Sequence, residues 1–249
     1  MLKTNEIYLG DCLKIMKQID DKSIDLILCD LPYGVSKMKW DSVIPFDELW
    51  LEYKRIRKDG APIVLFGTDP FTSAMIMSNV KEFKCKWVWN KVRFANFLCA
   101  KYKPMQVTED VVVFCKGKII YNPQMIALDR PYTRGQPARF NKFINEFQPG
   151  SEEKTYTHRF PTNLIQFTNS NTKTKIHPTE KPVPLLEYLI KTYSNENAVV
   201  LDNTCGSGST LQAAKNLKRQ YIGIEQNEFY FNISKLRLND EPYLHLKSK

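Results

Sequence analysis

Ile24-Asp25-Leu26-Ile27-Leu28-Cys29-Asp30-Leu31-Pro32-Tyr33-Gly34 is the stretch on which the fold turns. Its first six residues form a nearly unbroken aliphatic run, the pattern of a strand buried on both faces of a parallel sheet. Asp30 to Gly34 then falls where that strand leaves the core, and open α/β sheets bind their ligands at the carboxyl ends of their strands. Asp30, Leu31, Pro32 and Tyr33 bring together a carboxylate, a backbone carbonyl, a rigid ring and an aromatic face. That set suits the exocyclic amine and the flat surface of a nucleobase.

Helical and strand patterns alternate on either side. Phe46 to Lys58 carries apolar residues at 46, 49, 50, 53 and 56, a helical stripe, and Ala61 to Phe66 is a short aliphatic strand. Phe71 to Val80 reads as a helix, Phe83 to Asn90 and Val107 to Cys115 as strands. The last third repeats the alternation: helix Pro184 to Tyr193, strand Ala198 to Leu201, helix Thr210 to Leu217, strand Tyr221 to Ile224, and a helix from about Glu228. This is an α/β chain with a central, mostly parallel sheet flanked by helices. From about Lys118 to Phe160 no period persists, and Pro, Gly, Asn and Gln are frequent. We read 1–249 as one domain with an insertion at about 118–160 that handles a substrate.

With 249 residues and 43% hydrophobic content the chain can bury one large core. No apolar run reaches the ~18 residues that span a bilayer, and Met1 to Glu6 lacks the apolar core of a signal peptide, so a cytoplasmic protein without a membrane partner is expected. Cysteines 12, 29, 85, 99, 115 and 205 form no CxxC pair and have no histidines at ligand spacing; reduced thiols and no metal are expected. The net charge of +9 favours a polyanionic partner. Seven Lys or Arg between Lys81 and Lys103 face a single acid, Glu82, with aromatics interleaved. From Phe83 to Trp89 the alternation fits equally a strand with core aromatics and solvated lysines. Arg93 to Lys103 lacks a clean period, and Arg93, Lys101 and Lys103 suit contacts to phosphates in a basic loop.

A second informative stretch is Asp202-Asn203-Thr204-Cys205-Gly206-Ser207-Gly208-Ser209-Thr210, between a strand and a helix. Its glycines let backbone approach a ligand closely, and the helix start offers unpaired N–H groups. A tight strand-to-helix connection would read the same way from the glycines alone. Glu225, at the end of the next strand, is where an acid takes up the hydroxyls of a ribose. The loop lacks the Gly-Lys-Ser/Thr ending of a triphosphate cradle, and Asp202 favours a ligand with a positive amino group over a pyrophosphate. A nucleoside without a triphosphate fits.

Taken together, these residues resemble the S-adenosylmethionine-dependent DNA amino-methyltransferases, in the subclass whose catalytic motif precedes the cofactor motif. Asp30-Leu31-Pro32-Tyr33 corresponds to the family's Asp-Pro-Pro-Tyr, and Asp202 to Gly208 to its Asp-x-Phe-x-Gly-Ser-Gly loop. Gly10-Asp11-Cys12 matches the element that contacts the cofactor adenine, and His177-Pro178-Thr179-Glu180-Lys181-Pro182 the segment beside the methionine end. The matches run from residue 9 to about 230 in the family's order. The chain departs from the pattern at Leu31, usually proline, and at Thr204, usually phenylalanine.

The resemblance implies a Rossmann-like methyltransferase fold with an inserted target-recognition region, and S-adenosyl-L-methionine held by Asp11, Cys12, His177, Thr179, Lys181, Asp202, Thr204, Cys205, Gly206, Ser207, Gly208, Ser209, Glu225 and Gln226. It implies methyl transfer to adenine N6 of a base flipped out of double-stranded DNA at a specific site. Asp30 and the Leu31 carbonyl would each accept one N6 hydrogen bond, Pro32 would keep the turn rigid, and Tyr33 would stack on the base. Arg130, Arg134 and Arg139 in the insertion join Arg93, Lys101 and Lys103 as candidate DNA contacts. A homodimer and a cognate restriction endonuclease are further expectations. Asp at position 30, where cytosine-N4 enzymes more often carry Ser, favours adenine; cytosine-N4 transfer, an RNA base methylase and a non-catalytic binding protein on the same scaffold are the alternatives.

Overall fold

The computed structural model describes residues 2–35, 41–95, 100–136, 139–141, 146–148, 150–168, 177 and 179–242. In chain order the elements are β1 (Glu6–Leu9), α1 (Cys12–Met16), β2 (Leu26–Cys29), α2 (Phe46–Ile56), β3 (Ile63–Gly67), α3 (Phe71–Ser78), β4 (Phe83–Ala95) and β5 (Gln106–Phe114). There follow β6 (Ile126–Gln136), β7 (Arg139–Asn141), β8 (Glu146–Gln148), β9 (Ser151–Arg159) and β10 (Leu164–Gln166). The last third holds α4 (Val183–Tyr193), β11 (Val199–Asp202), α5 (Ser209–Asn216), β12 (Gln220–Glu225) and α6 (Glu228–Leu238).

Every residue of β2 is fully buried, as a strand covered on both faces must be. Leu26 and Leu28 enter a cluster with Leu185, Leu189 and Leu211 of α4 and α5. Ile27 and Cys29 enter the opposite cluster with Met16, Leu49, Tyr53 and Met75 of α1, α2 and α3. Each such aliphatic side chain contributes about 1.5–3 kcal/mol by leaving water, so the two-sided burial of β2 anchors a helix–sheet–helix sandwich. The apolar stripe of α2 is what its own sequence spacing dictates: Leu49, Trp50, Tyr53 and Ile56 are buried, while Leu51 and Lys54 face outward.

Eight strands form one sheet in the order β1-β12-β11-β2-β3-β5-β4-β10. The neighbours from β1 to β3 are parallel, as are β4 and β10, and β5 pairs antiparallel with both β3 and β4. Strand β5 thus runs against the other seven, which brings its beginning to the edge where the others end. In the middle, β2 and β11 are direct neighbours, with Leu26 opposite Val200 and Ile27 opposite Leu201. Asp30 and Asp202 therefore lie at the adjoining carboxyl ends of two paired strands.

The structure corrects several readings at the residue level. Strand β4 runs on through Arg93 to Ala95, where a loop was expected from Arg93, and Trp87 and Trp89 are buried while Lys84 is exposed. The stretch expected to lack regular structure contains strands. Residues 123–162 form a compact unit by themselves, with an antiparallel ribbon of β6 and β9 and a smaller pair, β7 and β8. All nine residues of β9 are exposed. A ribbon with no buried face imposes no alternation on its sequence, so no strand period was there to be read. Residues 1–122 and 163–249 form the other unit, which holds the whole eight-stranded sheet. Among the described residues no helix is long and apolar enough to cross a membrane.

Candidate active site

Asp30 emerges from β2 into a cluster of charge. Its Oδ2 accepts a hydrogen bond from Lys181 Nζ at 2.6 Å, and its Oδ1 accepts one from the Tyr33 hydroxyl at 2.7 Å. Lys181 Nζ also lies 2.8 Å from Glu109 Oε1, and Lys91 Nζ is 3.7 Å from Glu109 Oε2. Burial raises the Asp30 carboxyl above its ordinary value, against the Lys181 ammonium and helped by the Glu109 charge. Burial opposes the charge on Lys181, yet Asp30 and Glu109 together hold it above its usual value, so it stays an ammonium. Burial and the two carboxylates drive the Tyr33 phenol well up, leaving it a hydrogen-bond donor. One face of the Tyr33 ring is stacked on Phe71 with centroids 4.8 Å apart. The Asp41 carboxylate accepts from the N–H groups of Gly34 and Val35 at 2.9 and 3.0 Å, which ties down the loop after Tyr33.

Across the seam, β11 delivers the glycine loop. Asp202 is 3% exposed, and burial pushes its carboxyl up to about 7 despite hydrogen bonds from Thr210 and the Thr204 N–H. The Thr204 hydroxyl donates to the Asp30 carbonyl at 3.1 Å, a direct tie between the two motifs at a position where the expected pattern has phenylalanine. Gly206 (φ +52°) and Gly208 (φ +78°) take the left-handed conformation that side chains resist. A Cβ on Gly208 would meet Ser234 Cβ at 2.9 Å, and one on Gly206 would stand 3.5 Å from the His177 ring. Glu225, closing β12, is raised by burial and accepts from the N–H groups of Gly206 and Asn227 at 2.8 and 2.7 Å.

The segment around His177 locks onto this loop. Glu180 accepts from Ser207 Oγ at 2.8 Å and forms a buried ion pair with Arg237 of α6 at 2.6 Å, and Arg237 donates to the Ser207 carbonyl at 2.8 Å. The His177 ring lies edge-on to Tyr230 at 4.3 Å, and its Nδ1 is 3.0 Å from Thr179 Oγ1. Lys181, grouped by its motif with the cofactor residues, carries its ammonium to Asp30. Pro178 lies outside the described residues.

One cavity of about 440 Å³ is lined by Asp30, Leu31, Pro32, Tyr33, Lys91, Glu109 and Lys181 together with Asp11, Cys12, His177, Thr179, Asp202, Thr204, Cys205, Gly206, Ser207, Ser209, Glu225 and Gln226. Asp11 also caps α1, accepting from the Lys14 N–H at 3.0 Å. Two buried carboxylates around left-handed glycines suit a ligand that is cationic, rich in hydroxyls and without phosphate, which fits a nucleoside bearing a sulfonium and an amino group. Glu109, Lys91, Glu180, Arg237 and Asp41 were not singled out in the sequence. Glu109 reaches the cavity because β5 runs backwards, and strand direction leaves no mark on a strand's own pattern.

Arg93, Lys101 and Lys103 are exposed in the larger unit, and Arg130 and Arg134 are exposed on β6 of the smaller one. Arg139 lies in β7, and its side chain is outside what the structure describes. His158 is exposed in β9; Cys99 and His245 lie outside the described residues. The cysteines described, 12, 29, 85, 115 and 205, are free thiols.

A doubly wound sheet with a glycine loop and a charged cavity at neighbouring strand ends fits a nucleoside-cofactor-dependent transferase. Residues 24–236 match the family profile described as DNA methylase, and the chain belongs to this family of N6/N4 DNA methylases. The methyltransferase M1.MboII of Moraxella bovis is 28% identical over 96% of this chain and 98% of its own length. Among solved structures, M1.HpyAVI in complex with S-adenosylmethionine superposes with a TM-score of 0.63 at 24% identity, covering 94% of this chain and 98% of that one. The cytosine-N4-specific PvuII DNA methyltransferase shares the fold with a TM-score of 0.66 at 17% identity, over 95% of this chain and 87% of its own. The protein is an S-adenosylmethionine-dependent DNA methyltransferase with the Rossmann-like fold of that family.

Proposed function

We propose that the chain methylates adenine N6 at a specific site in duplex DNA, on a base flipped into the pocket around Asp30. The observation that carries this reading is the pairing of β2 with β11, which sets an amine-accepting carboxylate beside a glycine loop fit for the cofactor. When bound, S-adenosylmethionine supplies a methyl group already activated on a sulfonium. Asp202, Glu225 and the backbone from Thr204 to Ser209 hold it, with Asp11, Cys12, His177, Thr179 and Gln226 completing the enclosure.

An adenine amine is a poor nucleophile while its lone pair is delocalised into the ring. Asp30 and the Leu31 carbonyl each accept one N–H of that amine, which draws the nitrogen toward tetrahedral geometry and aims its lone pair. Asp30 then faces the positive charge that develops on nitrogen and accepts a hydrogen bond from the methylated amine, which, strongly acidic once its lone pair is committed, releases its proton to water. Tyr33 offers its ring to the base, returning ~1–3 kcal/mol of the flipping cost. Because Tyr33 already has Phe71 on one side, the base takes the other. An aspartate at position 30 favours adenine over cytosine. The exposed 123–162 unit, with Arg130, Arg134 and Arg139, serves as the target-recognition region, and Arg93, Lys101 and Lys103 hold phosphates.

Incorporation of labelled methyl groups into DNA, followed by nucleoside analysis, tests the reading. N6-methyladenine is expected. N4-methylcytosine would reverse the base assignment, and labelling of RNA without labelling of DNA would remove duplex DNA as the substrate.

A further inference from the structure

Glu109 sits on the reversed strand β5, buried, with its carboxylate in the same pocket as Asp30. Tyr33 has one hydroxyl proton and two carboxylates within reach, Asp30 Oδ1 at 2.7 Å and Glu109 Oε1 at 3.1 Å. Lys181 divides its donors in the same way, 2.6 Å to Asp30 and 2.8 Å to Glu109. Both donors that now occupy Asp30 therefore have Glu109 as a second acceptor.

Charge makes the same point. Two carboxylates, Asp30 and Glu109, stand with two ammoniums, Lys181 and Lys91, and the sum is zero. Without Glu109 this four-group cluster would carry one net positive charge beside the place where an amine must become cationic. Asp30 would also be left as the sole carboxylate partner of Lys181. Low-dielectric surroundings make either defect costly.

We infer that Glu109 is a positioning residue for methyl transfer, taking over the Tyr33 hydroxyl and a share of Lys181 so that Asp30 can accept the amine of the incoming base. The inference rests on the reading of Asp30 as the amine acceptor. The groups that face Asp30 are Tyr33 from its own loop, Lys181 ahead of α4, Glu109 on β5 and Asp202 at the end of β11, with Lys91 of β4 behind Glu109.

The test is Glu109→Gln, which keeps the shape and one acceptor oxygen but removes the charge, assayed on long duplex DNA amplified in vitro with labelled S-adenosylmethionine. We expect kcat to fall about tenfold or more, with thermal stabilisation by the cofactor retained. The acid limb of the pH profile should move to lower pH, because the Glu109 charge is one of the influences that raise Asp30. Glu109→Asp, which restores a carboxylate, should recover part of kcat and return the limb toward its original position. Wild-type kcat and an unmoved limb in Glu109→Gln, alongside an inactive Asp30→Ala, would overturn the inference. An active Asp30→Ala would instead remove the reading beneath it. If Glu109→Gln gives no cooperative melting, the charge-balanced double variant Glu109→Gln with Lys91→Met takes its place; the same limb shift is expected there, and its absence would overturn the inference.

Discussion

Replacing Asp202 by asparagine removes a charge that the fold holds in an unfavourable place, and the structure sets the size of the effect. Asp202 is 3% exposed, and burial lifts its carboxyl from an ordinary 3.8 to about 7. The folded value lies above the unfolded one, so the carboxyl's contribution to stability is fully present below pH 3.8 and is lost as the pH rises through about 7. Over that window the folded chain keeps a proton that the unfolded chain has released, which costs about 1.4 kcal/mol per pH unit. Between pH 5 and pH 8 roughly two units of that window are crossed, or about 3 kcal/mol. Asparagine has no proton to lose, and its amide oxygen still accepts from the Thr204 N–H. In urea denaturation without cofactor, the stability of Asp202→Asn relative to wild type should therefore improve by about 3 kcal/mol from pH 5 to pH 8. Saturating S-adenosylmethionine should reverse the ranking at pH 8, since its cationic groups favour the ionised aspartate. A difference between the proteins that is the same at both pH values would refute the reasoning.

Asp30→Ala should keep cofactor-dependent thermal stabilisation and lose methyl transfer; undiminished activity would exclude the role given to Asp30. Arg237→Met leaves the buried Glu180 carboxylate without its guanidinium, and denaturant melts should show a loss of about 3–5 kcal/mol. Gly208→Ala forces a Cβ against Ser234 at a left-handed φ, at an expected cost of about 1–3 kcal/mol with weakened cofactor binding by calorimetry. Arg130→Gln with Arg134→Gln should flatten the salt dependence of DNA binding by about 0.9 in log–log slope for each phosphate no longer neutralised; an unchanged slope would show that neither arginine holds a phosphate.

Much of the larger unit was legible because its elements obey strong local rules. β2 is apolar throughout, α2 keeps a helical stripe, and the glycines of the 202–210 loop mark a turn that only they tolerate cheaply. The relations between distant segments were not. That Lys181 reaches Asp30, that Glu180 is clamped by Arg237, and that Glu109 enters the pocket at all depend on strand order and direction. No residue's neighbours in the chain record these. The ribbon of β6 and β9 escaped for the opposite reason: with both faces wet, nothing disciplines its sequence.

The seam between β2 and β11 also bears on how the protein is made. The Thr204 hydroxyl and the Asp30 carbonyl that it binds are 174 residues apart in the chain. At roughly 5–20 residues per second a ribosome takes on the order of ten to thirty seconds to travel that distance. Throughout this interval β2, apolar along its whole length, lacks the strand that pairs with its β11 edge, and an unpaired apolar strand is the kind of surface that chaperones bind. Methyl transfer needs both strand ends, so a nascent chain stays silent until β11 has left the ribosome.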